Sequence, residues 1–145
     1  MPLYPLGYGD VSEARYDEVV KDYTIAGLML VVAGIHLLPA SGFLGRRQLQ
    51  KLYGVEIEKP ELEILMRHRA ILFGILGGFF AYAAFEPAVQ PLAFVAASVS
   101  VGSFLYLAIS VGSYGPEVRQ VIFVDLIAAG CLLAAITPFV LRLDP

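Results

Sequence analysis

The sequence predicts an all-α integral membrane protein: a four-helix transmembrane bundle with a short amphipathic N-terminal helix and an interfacial helix in the first loop. Three observations predict it. The chain of 145 residues is 58% apolar and its mean hydropathy is +0.73, whereas a soluble domain is nearer about 45–50% apolar. Only 16% of the residues are charged, too few to cover the core of a small soluble fold. Finally, four runs carry no Asp, Glu, Lys or Arg: Tyr23 to Gly45, Ala70 to Phe85, Pro87 to Pro116, and Leu126 to Leu141.

Each element can be justified in turn. Residues 1–22 form an acidic segment with Asp10, Glu13, Asp17, Glu18 and Asp22 against Arg15 and Lys21. Asp10 followed by Glu13 reads as a capping box that starts the amphipathic helix. A cleavable signal needs a basic start and an immediate apolar stretch, and Pro2 after Met1 argues against myristoylation. Residues 23–145 form the transmembrane domain, with spans expected over about 23–44, 63–86, 90–113 and 117–141. A hydrocarbon core of about 30 Å takes roughly 20 helical residues. Pro60 with Glu61 and Glu63 opens the second span, since proline suits the first turn and acids complement the dipole there. Pro87 and Pro91 bracket a tight connection, and Pro116 with Glu117 opens the last span. Pro39 and Pro138 are expected to kink or end their helices.

Between the first two spans lies GRRQLQKLYG, residues 45–54. It reads as a surface helix. Leu49, Leu52 and Tyr53 would dip into the membrane while Arg46, Arg47 and Lys51 meet lipid headgroups, and Gly54 would stop it. Lysine and arginine set sidedness. The first loop, the start of the second span and the third loop hold Arg46, Arg47, Lys51, Lys59, Arg67, Arg69 and Arg119; the other side holds Arg15, Lys21 and Arg142. Both termini are therefore expected outside the cytoplasm. Ala70, Gly74, Gly77 and Gly78 would let helices approach closely, either within the bundle or against another subunit.

Ionisable groups inside spans carry the functional information, because each is costly unless paired. His36 and Asp125 each fall about eight residues inside the same leaflet, a depth of about 12 Å. Arg67, His68 and Arg69 open the second span there, with Tyr53 and Tyr114 near the boundary. Asp125 is expected to be neutralised by Arg67 or by Arg69, with His36 hydrogen-bonded in the same cluster. Such a cluster serves as a structural ion pair, as a pocket for a quinone, sterol or phospholipid head, or as a proton path. Haem ligation is disfavoured, since it needs two histidines at matched depth. Cys131 is a small hydrophobe with no partner for an internal disulfide. The net charge of −3 speaks against nucleic acid as a partner. Nucleotide-binding, nucleophile-elbow and zinc-protease motifs are absent.

The stretches HLLPASGFLG (36–45), LYG (52–54) and LMRHRAILFGILGG (65–78) form a pattern that resembles small bacterial inner-membrane proteins of the DoxX-like type, over about residues 24–142. The resemblance implies a four-helix bundle and loosely a quinone-linked or lipid-linked role, with no catalytic residues to carry over. Identification as a phosphopantetheine adenylyltransferase is rejected, because that enzyme is a soluble α/β fold with an HxGH motif and this chain has neither. The expected function is that of a non-catalytic accessory or assembly subunit of a larger, energy-transducing inner-membrane complex. The alternatives are a binder or redox partner of a quinone-like lipid using His36, Arg67, Arg69 and Asp125, and a small proton-coupled transporter carried by Asp125. Membrane lipids and other membrane subunits are the expected partners.

Overall fold

A computed structural model describes residues 8–143. Among them the chain is helical apart from short connections. Helix α1 is Tyr8–Ala40, α2 Arg46–Tyr53, α3 Pro60–Ala83, α4 Gln90–Val111 and α5 Pro116–Leu143, with 3-10 turns at Ser41–Leu44 and Pro87–Val89. Four stretches are long and apolar enough to cross a membrane: Arg15–Leu44, Pro60–Ala83, Pro87–Val111 and Pro116–Leu141. The shortest of the four helices, α4 with 22 residues, extends about 33 Å at 1.5 Å per residue.

The acidic segment departs from expectation. Helix α1 runs unbroken from Tyr8, so among the described residues no separate amphipathic helix precedes the span. The backbone of Asp10 is already helical rather than at a cap, and the side-chain bonds expected of it lie outside the described side chains. Continuity is favoured because no Gly or Pro interrupts residues 10–26, and each added residue contributes a helical hydrogen bond. Helix α1 ends one residue after Pro39, whereas Pro138 lies within α5.

Helix α1 packs along α3 and α5, and α4 packs along α5 and more lightly along α3. The core between them is lined by Ile25, Met29, Ala33, Phe80, Ala97, Ala128 and Leu132. Small residues set its width. An added Cβ on Gly77 would stand 3.1 Å from the Ala33 carbonyl oxygen and 2.8 Å from Leu37, and one on Gly74 would stand 3.4 Å from Ala40. These glycines seat α3 against α1. Gly78, by contrast, faces open space. Two side-chain hydroxyls within the spans bond to their own helices, Thr24 donating to the Val20 carbonyl at 2.8 Å and Ser110 to that of Tyr106 at 2.8 Å, which removes their need for water.

The amphipathic first-loop helix is also placed differently from expectation. Leu49 and Tyr53 of α2 are buried with Ile57 and pack on Leu52, Leu62, Met66 and Val121. The apolar face of α2 thus closes one end of the bundle rather than dipping into lipid. The six residues from Gly54 to Lys59 are long enough to return Ile57 under the helix. Gly45 (φ 122°) and Gly54 (φ 63°) begin and end α2 in the left-handed region, where a side chain is strained. Gly54 donates its N–H to the Gln50 carbonyl at 2.8 Å.

Candidate functional site

The end closed by α2 holds a cavity of about 370 Å³, bounded by α1, α2, α3, α4 and α5. Each helix presents one face. Helix α5 contributes Glu117, Gln120, Val121, Val124 and Asp125, spaced three and four apart. Helix α2 contributes Gln48, Lys51 and Leu52 on the same spacing, followed by Tyr53. Arg69 and Phe73 come from α3, Phe104 from α4, and Ile35, His36 and Leu38 from α1. This is the size of an ordinary small-molecule site, with apolar walls and a few polar groups.

Arg69 occupies the cavity. Its guanidinium lies 5.1 Å from the ring centroid of Phe73, 5.4 Å from that of Tyr53 and 5.9 Å from that of Phe104. Three aromatic faces give a desolvated cation an attractive seat. Arg69 acts electrostatically on both Asp125 and Tyr53. The gap to Asp125 is nevertheless more than an ion pair, since no Asp125 carboxylate oxygen lies within 4.0 Å of a cationic nitrogen among the described residues. Burial raises the Tyr53 phenol above its ordinary pKa, Arg69 pulls it down, and Asp125 pushes it up.

Arg67 is not part of this cluster, contrary to one sequence expectation. It turns to the opposite side of α3, where Nη1 reaches Glu63 Oε1 at 3.5 Å and Nε donates to the Phe43 carbonyl at 3.0 Å. Its guanidinium also covers the Phe43 ring. Arg46 completes this outer network through its own ion pair with Glu63. The physical reason is angular: residues two apart on a helix differ by about 200°, so Arg67 and Arg69 cannot face the same way. His68 is exposed and lines a separate outer groove with Arg67, Ile64 and Ile71. His36 and His68 therefore do not converge on one haem position.

His36 is 2% exposed and bonded at both nitrogens. Nδ1 lies 2.9 Å from the Val32 carbonyl, which can only accept, so Nδ1 carries the proton. Nε2 then accepts from the Ser100 hydroxyl at 3.1 Å. The ring stacks edge-on against Phe80 at 4.8 Å. His36 thus ties α1 to α4 and forms the floor of the cavity, and it bonds neither Arg69 nor Asp125. The remaining residues read from the sequence fall around this site. Lys51 and Tyr53 line the cavity; Arg47 is exposed on α2. Ala70 is buried one residue beyond Arg69.

The sequence does not mark Ser100, Phe73, Phe104 or Gln120 as site residues, and it marks Glu117 only as the opening of the last span. A signal for some of them exists. Phe73 follows Arg69 by four residues, Phe104 follows Ser100 by four, and Asp125 follows Val121 by four and Glu117 by eight, all of which share a helical face. Among the described residues no group of three His, Cys, Asp or Glu is placed to hold a metal. Comparison with protein-family models, with curated proteins and with solved structures finds no match.

Proposed function

We propose that this chain is a bacterial inner-membrane protein of the DoxX-like kind that binds a small polar-headed amphiphile, without catalysing a reaction. The head sits in the cavity under α2. The observation that supports the reading most directly is a chamber of about 370 Å³ that holds a cation and a carboxylate without joining them. A structural ion pair would be closed to contact; a recognition site is held open by its walls. Here Phe73, Phe104 and Tyr53 hold Arg69 in place. Leu38, at once a wall of the cavity and 58% exposed, gives an apolar tail a way to the lipid. On this reading α2 faces the cytoplasm and both termini lie on the other side.

Extraction of the protein purified in mild detergent, followed by mass spectrometry, tests this. The expected result is one amphiphile class retained near a 1:1 ratio, and its loss from Val124→Phe, which fills the chamber. Equal retention by wild type and the filled variant would count against the site.

The accessory-subunit reading is favoured by a different observation. Gly27 and Gly34 share one face of α1, and an added Cβ at either meets nothing within 4 Å. Gly78 on α3 is equally open. Bare backbone facing lipid admits the close approach of a neighbour's helix. Co-purification of a second membrane protein, lost on replacing Gly27 and Gly34 by leucine, would support it.

A further inference from the structure

We infer that the head recognised in this cavity is zwitterionic: a phosphate or carboxylate joined through a short link to an ammonium. This rests on the reading of the cavity as a binding site and names what that site selects. The wall carries two cations, Arg69 and Lys51, and two carboxylates, Asp125 and Glu117. None of the four makes an ion pair within 4.0 Å with any described residue. The ion pairs Arg46–Glu63 and Arg67–Glu63 lie on the outer face of α3.

Charges of both signs kept apart around one chamber restrict what can enter. A simple anion satisfies Arg69 but meets Asp125 and Glu117. A simple cation satisfies the carboxylates but meets Arg69 and Lys51. A neutral head leaves Arg69 and Asp125, both half-buried, without an ionic partner where that is costly. A head bearing both charges answers both halves. Anionic oxygens take the guanidinium in its two-pronged geometry, and no described residue uses an Arg69 N–H in a hydrogen bond. The ammonium, a compact donor, goes to Asp125. The aromatic seat of Arg69 serves this arrangement by preventing collapse onto Asp125 in the empty site. Phosphoethanolamine is the probe that fits, either as the head of a phospholipid with its chains leaving past Leu38, or free in water.

The test compares ligands on the full-length protein, stripped of lipid in a neutral detergent. Thermal unfolding is followed with dioctanoyl phosphatidylethanolamine, dioctanoyl phosphatidylglycerol, a short-chain quinone and soluble phosphoethanolamine. The ethanolamine lipid is expected to raise the midpoint by several degrees and to bind at least about fivefold more tightly than the glycerol lipid. Asp125→Asn should bring those two affinities within about twofold of each other by raising that of the anionic lipid. Should that variant not fold, Glu117→Gln is expected to narrow the preference in the same direction. Stabilisation by soluble phosphoethanolamine alone would keep the zwitterionic head and assign it to a water-soluble ligand. Equal or tighter binding of the glycerol lipid or the quinone would overturn the inference while leaving the amphiphile site standing. No stabilisation by any of the four would remove the binding site itself.

Discussion

Arg69 shows how one side chain organises the cavity. Its planar guanidinium covers aromatic faces from α2, α3 and α4 at once, which an ammonium cannot do. It also supplies the counter-charge felt by Asp125. A double-mutant cycle of Arg69→Gln with Asp125→Asn should therefore give a coupling of about 1 kcal/mol in detergent unfolding, and the same cycle with Arg67→Gln a value near zero. Equal coupling for both arginines would contradict the geometry. Tyr53 gives the matching pH prediction. Its phenol titrates higher in the folded protein, chiefly because it is buried. The unfolded chain then gives up this proton first, from about pH 10. The contribution to stability is full below that pH and is lost as pH rises through the folded value. Melting curves from pH 8 to 12 should fall more steeply for the wild type than for Tyr53→Phe; parallel curves would dismiss the effect. At this scale the sequence was only partly legible. The inward acid and histidine could be picked out by their cost in lipid, but choosing between Arg67 and Arg69 needed the phase of α3, which hydropathy does not fix.

Among the elements, the seam between α1 and α3 is set by glycines that look alike in the sequence. Gly77 faces the Ala33 carbonyl, a backbone group that cannot rotate away, whereas Gly78 faces open space. Gly77→Ala should destabilise the bundle by about 1–3 kcal/mol, the usual cost of overpacking. Gly78→Ala should be neutral or stabilise by up to about 1 kcal/mol, because alanine holds a helix better than glycine. Unfolding in mixed micelles reads both, and equal effects would mean that the seam is elsewhere. The four long helices were legible because length and apolar content are sufficient for a span. The placement of α2 was not. Its pattern of Leu49, Leu52 and Tyr53 beside Arg46, Arg47 and Lys51 fits a membrane surface as well as a protein surface. What decides is Ile57, six residues past Lys51 and buried with Leu49 and Tyr53, which draws the helix down onto the bundle.

For the whole molecule the deciding property is the character of the outer surface. Ile109 is 81% exposed, Leu133 69%, Ile75 65% and Leu92 64%, and such residues occur around every long helix after α2. Within the candidate spans only 17–28% of the most apolar window is buried inside the protein. Water would charge about 25 cal/mol for each Å² of that apolar surface; hydrocarbon does not. On the proposed reading the cationic side chains set how the bundle sits. Arg46, Arg47, Lys51 and Lys59 are exposed around α2 and the loop after it, and a membrane-inserted chain keeps such a cluster on the cytoplasmic side. Replacing Cys131 by alanine and adding single cysteines at Gln50 or Glu18, both exposed, puts this to the test in intact cells. A membrane-impermeant maleimide is expected to label Glu18→Cys in whole cells and Gln50→Cys only after lysis. The reverse pattern would invert the protein and put the cavity at the opposite face. Labelling of both in whole cells would mean that α1 does not cross, and the bundle could not then have formed in the bilayer as these surfaces require.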